Sequence, residues 1–442
     1  MRRVFRYLWL SPLVLVLGIG AYFLPPIHDR LSWRLDDLRT NVKYFFSPPD
    51  QAVFQPTQQA QMSILVTQAI QTLSATLTPQ ATSTPTPGPT PTPTVTSTPL
   101  PASVDLKGFV YEDQHGRWNY CGPTNFAMAL SYWGWKGNRD DVGRAVMPGN
   151  TSSSGKPINA DKNVMPYEFQ DYITQYVPGL TSVLRYGGDI DMVKHLLASG
   201  FPVVAEKGYY EQDYTGKVSW MGHYQFITGY DDATGELIVQ DTYNDGPNFH
   251  IPYQQFMDGW RSFDFLFVVV YPPDRENQVM SLLGPLADAN SAARHALMVA
   301  QQEGQSLTGI NRFFAWFNVG TSYVALNDYT SAASAYDMAF NLYANLTDDD
   351  TMRPFRIMWY ETGPYFAYYY TNRYTDVINL ANTTLNDTIG APVLEESLLW
   401  RGRAYYMTGQ TQLAINDYRA ALKVHPKWAV ALQALQELGF SS

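Results

Sequence analysis

Hydrophobic and polar positions fall into five successive patterns along the chain. An unbroken apolar run from about Tyr7 to Leu24 follows Arg2, Arg3 and Arg6. Its length is at the short end of a bilayer-spanning helix, and its basic flank would stay in the cytoplasm and send the rest outside. No small-x-small cleavage site follows Leu24, so the pattern predicts an uncleaved signal anchor over residues 1–27, ahead of a cleaved signal peptide and a secreted body. Leu31, Leu35, Leu38 and Val42 then recur at helical spacing between charges, which predicts a juxtamembrane helical segment within 28–80. Residues 81–103 repeat Thr-Pro, a composition that favours extended chain and reads as a spacer.

From residue 104 to 273 the periods of 3.6 and 2 alternate. "CGPTNFAMALSYWGW", "MPYEFQDYITQYV" and "DMVKHLLASG" carry helical spacing, the last closed by Gly200. "FPVVAEKGY", "GHYQFITGYDD", "GELIVQDTY" and "FDFLFVVVYPP" are rich in β-branched and aromatic residues and predict strands, with a hairpin turn in "YDDATGE". This is an α+β pattern.

Beyond Pro273 strand patterns stop, and residues 286–442 read as all-α with an internal repeat. Trp316, Val319, Gly320, Tyr323, Ala332, Tyr336 and Ala339 share their spacing with Leu398, Arg401, Gly402, Tyr405, Ala414, Tyr418 and Ala421, the latter set followed by Pro426. Both sets resemble the tetratricopeptide repeat, and Tyr365, Tyr368 and Val377 mark a degenerate unit between them. The resemblance implies paired helices and a protein-binding surface.

Composition narrows the function. The formal charge is −10, and no Lys/Arg block is present that could track phosphates, so nucleic acid is not an expected partner. No cysteine or histidine spacing suits a zinc site, so neither metal nor cofactor is predicted. The single cysteine, Cys121, stands directly before Gly-Pro at a predicted helix start. Unpaired N–H groups and the helix dipole favour a thiolate there, and proline in a first turn costs no hydrogen bond. The alternative is a small buried side chain without chemistry. Of seven histidines, His223 is distinctive because it is read as opening the strand "HYQFITGYDD", from which an imidazole can be aimed at a helix N-terminus. His195 lies instead on a helix with an apolar stripe. Asp241 follows the partner strand, where its carboxylate could fix the imidazole tautomer; a turn role is the alternative.

At these residues the chain resembles papain-fold cysteine peptidases, and among them the bacteriocin-processing, double-glycine peptidase-like family. "CGPTNFAMALSYWG", "GHYQFITGYDD", "VQDTY" and Gln114 carry the resemblance over about residues 105–272. It implies a papain-like α+β domain, a Cys121–His223–Asp241 triad, and Gln114 as an oxyanion donor. Gln114 lies seven residues before Cys121, one more than is common in the family. The expectation is a membrane-tethered, extracytoplasmic cysteine peptidase acting on peptides or proteins, its repeats available to a protein partner. The rival expectations are an inactive peptidase-like scaffold that binds through its repeats, and an amidase or transpeptidase acting on cell-wall peptides.

Overall fold

The computed structural model describes residues 99–440 apart from 118, 149–162, 213–217, 244, 347–352 and 387–393, together with 53–57 and a few isolated earlier positions. The predicted anchor over 1–27 lies outside the described residues except for Gly20, as does nearly all of the Thr/Pro stretch. Among the described residues no helix is long and apolar enough to cross a membrane.

The α+β part is built on a seven-stranded antiparallel sheet: β1 (Ser103–Asp105), β2 (Thr181–Arg185), β3 (Val203–Gln212), β4 (Val218–Asp231), β5 (Glu236–Gln240), β6 (Phe249–Pro252) and β7 (Phe267–Tyr271). Strand order is β2-β7-β3-β4-β5-β6. β4 pairs with β3 from Val218 to Ile227, and where β3 ends β1 takes over the same strand at Gly229–Asp231. Five helices belong to this part: α1 (Cys121–Tyr132), α2 (Arg139–Val146), α3 (Pro166–Tyr176), α4 (Ile190–Ala198) and α5 (Tyr253–Trp260). Of these, α1, α3 and α4 were legible from periodicity. α2 was not: its eight residues hold only three apolar side chains, and what defines its start is a capping box between Asn138 and Asp141.

β4 corrects one expectation. His223 does not open the strand but sits in its interior, opposite Lys207 of β3. Pairing with "KGYYEQ" of β3 continues the ladder through "VSWMG", and this cross-strand hydrogen bonding outweighs the weak local strand signal.

The helical part contains α6 (Glu276–Leu283), α7 (Ala289–Ser306), α8 (Gly309–Ala325), α9 (Tyr329–Ala344), α10 (Ile357–Tyr360), α11 (Gly363–Tyr370), α12 (Tyr374–Asn386), α13 (Glu395–Met407), α14 (Thr411–Val424) and α15 (Ala429–Glu437). The pairs α8/α9, α11/α12 and α13/α14 occupy the three repeat positions. Their packing explains the repeated glycine: a Cβ on Gly320 would come within 2.5 Å of the Tyr336 ring, and one on Gly402 within 2.6 Å of Tyr418. In the degenerate unit the sizes are exchanged, with Tyr365 at the glycine position and Ala381 at the tyrosine position, both fully buried. Total volume is conserved, which close packing tolerates best.

The two parts share one hydrophobic cluster. It runs from Tyr120, Phe126 and Phe169 through Trp220 and Phe263 to Phe313, Phe314 and Tyr336. Trp220, fully buried, touches Phe263 (ring centroids 5.7 Å), Phe314 (5.8 Å) and Tyr360 (5.8 Å). Polar ties cross the same boundary: Asn318 Nδ2 donates to Arg261 O (2.6 Å), Ser322 Oγ to Asp264 Oδ2 (2.8 Å), and Arg356 Nη1 to Ser219 Oγ (2.6 Å).

Residues 53–57, inside the segment expected to be juxtamembrane and helical, carry no helix and lie on the repeats. Phe54 is buried against Phe340 (4.9 Å) and Tyr368 (6.1 Å), and the Thr57 N–H donates to Asp376 Oδ1 (3.1 Å). Pro56 has no N–H for a helical ladder, and burial of Phe54 against two aromatic rings favours the extended path.

Candidate active site

Cys121 is the first residue of α1, and no side chain caps that helix. Its first-turn N–H groups therefore remain directed at the half-buried thiol. The helix is held from behind by stacking of Phe126 on Phe169 of α3 (4.1 Å, 14°) and by Asn125, whose Nδ2 donates to Cys121 O (2.9 Å) and Tyr224 O (2.8 Å). Asn125 thus joins the helix start to β4 next to His223.

Side chains alternate along a strand, so His223 and Gln225 share one face of β4 and Tyr224 the other. On the first face Asp241, one residue past the end of β5, meets both. His223 Nε2 lies 3.1 Å from Asp241 Oδ2, and Gln225 Nε2 donates to the same oxygen at 2.8 Å. The Tyr243 N–H donates to Asp241 Oδ1 at 2.8 Å. An ionised carboxylate only accepts, so Nε2 carries a proton and Nδ1 is the ring nitrogen left for the thiol. Cys121 and His223 are hydrogen-bonded side chain to side chain.

The electrostatics follow from this chain of contacts. Burial pushes the Cys121 thiol up, but the hydrogen bond and charge of His223, with the Tyr224 and Gly122 N–H groups, outweigh it and leave the thiol below its ordinary value. Burial pushes His223 down; the charge and hydrogen bond of Asp241, then Cys121, raise it to about 10. Burial also works against the Asp241 carboxylate, yet His223, the Tyr243 N–H and Gln225 hold it well below the carboxylate range. The three groups thus favour one another's charged forms, sulfur beside imidazolium beside carboxylate.

Gln114 is fastened to the same loop. Its N–H donates to Thr242 O (2.8 Å), and its Oε1 accepts from Thr242 Oγ1 (2.8 Å). That second bond occupies the amide oxygen and leaves the NH2 as the end suited to an acyl oxygen. The other histidine weighed from sequence, His195, is exposed on α4 and bonds Asp191 O (2.7 Å).

Sequence reasoning missed several neighbours of the site. Gln225 was legible, since it stands two positions from His223 on a strand. Glu206 and Tyr209 of β3 were signalled only as polar residues in a buried strand. Burial pushes Glu206 well above its ordinary value, while Tyr224 hydrogen-bonds it and the charges of Cys121 and Glu361 act on it. The Tyr209 ring stands edge-on to His223 at 5.5 Å. Tyr360 and Glu361 come from the helical part and carried no signal at all. Burial raises Tyr360 above its ordinary value, and the charge of Cys121 adds to this; a Cβ on Gly222 would come within 2.9 Å of the Tyr360 ring. Burial raises Glu361 to about 8, against a hydrogen bond from Thr321 Oγ1 of 3.1 Å. The helical part thus forms a wall of the site.

Residues 106–267 match the Peptidase_C39 like family, and residues 396–427 match a tetratricopeptide repeat. The sheet-bearing part is a C39-like peptidase domain. A crystal structure described as a C39-like peptidase from Bacillus anthracis aligns with 38% of this chain and 97% of its own, at 16% identity and a TM-score of 0.31. No curated protein matches the chain. The tetratricopeptide match falls on α13 and α14. The C39-like domain and the repeats follow one another in the order that the sequence patterns predict.

Proposed function

We propose that the protein is a membrane-tethered cysteine peptidase whose C39-like domain works outside the cytoplasm. The observation that carries the reading is His223 held between two partners, the Cys121 thiol at an uncapped helix start and the buried Asp241 carboxylate. In this reading Cys121 is the nucleophile. Its sulfur attacks the scissile carbonyl, and the oxyanion is held by the Cys121 N–H and the Gln114 NH2. Nδ1–H of His223 then protonates the leaving amine, and a thioester remains. Water, deprotonated by the neutral imidazole, attacks the thioester and releases the carboxylic acid and the free thiol. Asp241 keeps Nε2 protonated and the ring aimed at sulfur.

Substrate is a peptide or protein segment. Tyr360, which feels the charge of the thiol, and Tyr209, edge-on to His223, favour a segment bound between the C39-like domain and the repeats, which are protein-interaction units. The apolar, Arg-flanked N-terminus supports the tether.

The test is labelling of the purified protein with a peptidyl epoxysuccinate at low micromolar concentration, followed by peptide mapping. Modification confined to Cys121, with loss of peptide turnover in proportion, is expected. A thiol that reacts no faster than free cysteine overturns the assignment. Product analysis in the presence of an amine acceptor separates hydrolysis from acyl transfer.

A further inference from the structure

A second cluster of ionisable side chains lies where α3 of the C39-like domain meets α13 and the end of α14. Glu168 of α3, Glu395 and Glu396 at the start of α13, and His425 at the C-terminal cap of α14 converge there. The three carboxylates are 7%, 0% and 6% exposed. One ligand atom each from Glu168, Glu395 and His425 lies within 4.8 Å of the other two.

Each of these groups has an incomplete set of partners. Glu168 Oε2 accepts from the Met165 N–H (2.7 Å), and Glu396 Oε1 from Tyr167 OH (3.3 Å). Glu395 Oε1 lies 2.8 Å from His425 Nδ1. Glu395 Oε2, by contrast, is fully buried with no hydrogen-bond partner. Among the described residues no lysine or arginine pairs with any of the three glutamates. The orphaned oxygen of Glu395 leaves an acceptor open toward the other acids, and a buried charge there persists only when paired or coordinated.

We propose that Glu168, Glu395 and His425 bind a divalent cation of the zinc class, which joins the C39-like domain to the last repeat. Two carboxylates and one imidazole form the donor set. Calcium and magnesium prefer oxygen ligands throughout, whereas an imidazole nitrogen with carboxylates suits zinc and its first-row neighbours. Glu396 adds negative charge beside the ligands.

The site is structural, yet it bears on the catalytic helix. Glu168 adjoins Phe169, whose ring stacks on Phe126 of α1 and would lie 2.8 Å from a Cβ on Gly122. A cation that fixes α3 therefore fixes the support beneath Cys121. The binding claim does not depend on the catalytic reading.

The experiment uses the full chain with Cys121→Ser, so that the catalytic thiol offers zinc no ligand. The protein is stripped with EDTA, dialysed against zinc, and assayed for bound metal by mass spectrometry and for stability by thermal melts. We expect close to one equivalent of zinc. At free zinc 100-fold above Kd, Tm rises by about 5 °C. Glu395→Gln and His425→Gln each weaken binding by at least tenfold and remove the Tm shift. Less than half an equivalent in the parent, an equal shift with calcium, or an unchanged zinc affinity in a folded Glu395→Gln each overturn the proposal. If either variant fails to fold, the parent titration alone decides.

Discussion

Replacing Asp241 by Asn isolates what the carboxylate does, because the shape of the side chain is kept and its charge is lost. In the native site His223 and Asp241 are 4% and 5% exposed, so their interaction is little screened by water. Burial alone would push the imidazole below its ordinary value of about 6.5; Asp241 is the main reason it stands near 10. Without that charge burial wins, and the imidazole pKa should fall by about 3 units or more. At pH 7.5 the imidazolium fraction then drops from nearly all to about one tenth or less. We expect kcat/KM at that pH to fall roughly 10- to 100-fold with a measurable remainder, because the helix start still favours the thiolate. The alkaline limb of peptide turnover should move from near pH 10 to near ~6.5. The inflection for iodoacetamide alkylation should move the other way, toward the ~8.5 of a free thiol, since the imidazolium no longer stabilises sulfur. Stability changes with a definite sign. The raised imidazole contributes fully below about 6.5 and loses its contribution as pH rises through about 10, whereas the lowered Asp241 contributes above about 4 and loses it as pH falls. The Tm gap between parent and variant should thus be widest between about pH 4 and 6.5. Alkylation and turnover profiles that coincide in parent and variant would refute the linked thiol–imidazole–carboxylate system.

His223→Ala should abolish peptide turnover, whereas His195→Ala, on the exposed face of α4, should stay within about twofold of the parent; the reverse order in a turnover assay would reject the assignment. Gly222→Ala places a methyl within 2.7 Å of Phe263 and 2.9 Å of Tyr360, so urea unfolding should show a loss of about 1–3 kcal/mol; an unchanged midpoint would mean that the helical wall is not packed there. Trp220→Ala, which empties the fully buried pocket between Phe263, Phe314 and Tyr360, should cost about 3–5 kcal/mol by the same measurement. A reporter active on only one side of the membrane, fused after Pro101, should be active outside the cytoplasm; activity confined to the cytoplasm would end the proposed topology.

What the sequence determined by itself was whatever depends on near neighbours along the chain. Helical period and a Gly-Pro turn were enough to find α1 and put Cys121 at its start. Alternation was enough to place His223 and Gln225 on one face of β4, although not to see that β3 would lengthen the strand past its local signal. Fixed spacing was enough to find the repeats, since Gly320 with Tyr336 and Gly402 with Tyr418 are the same contact made twice, each within its own helix pair. Tertiary structure decided what distant segments share. It brought Tyr360 within reach of the charge of Cys121 and laid Phe54 on Phe340. It also brought His425 against the buried Glu168 and Glu395, three residues in unrelated local patterns. Hydrophobic burial is non-directional and acts between any surfaces the chain can bring together, so it leaves no period in the sequence. The charges gathered by that burial acquire their chemistry only once water has been excluded around them.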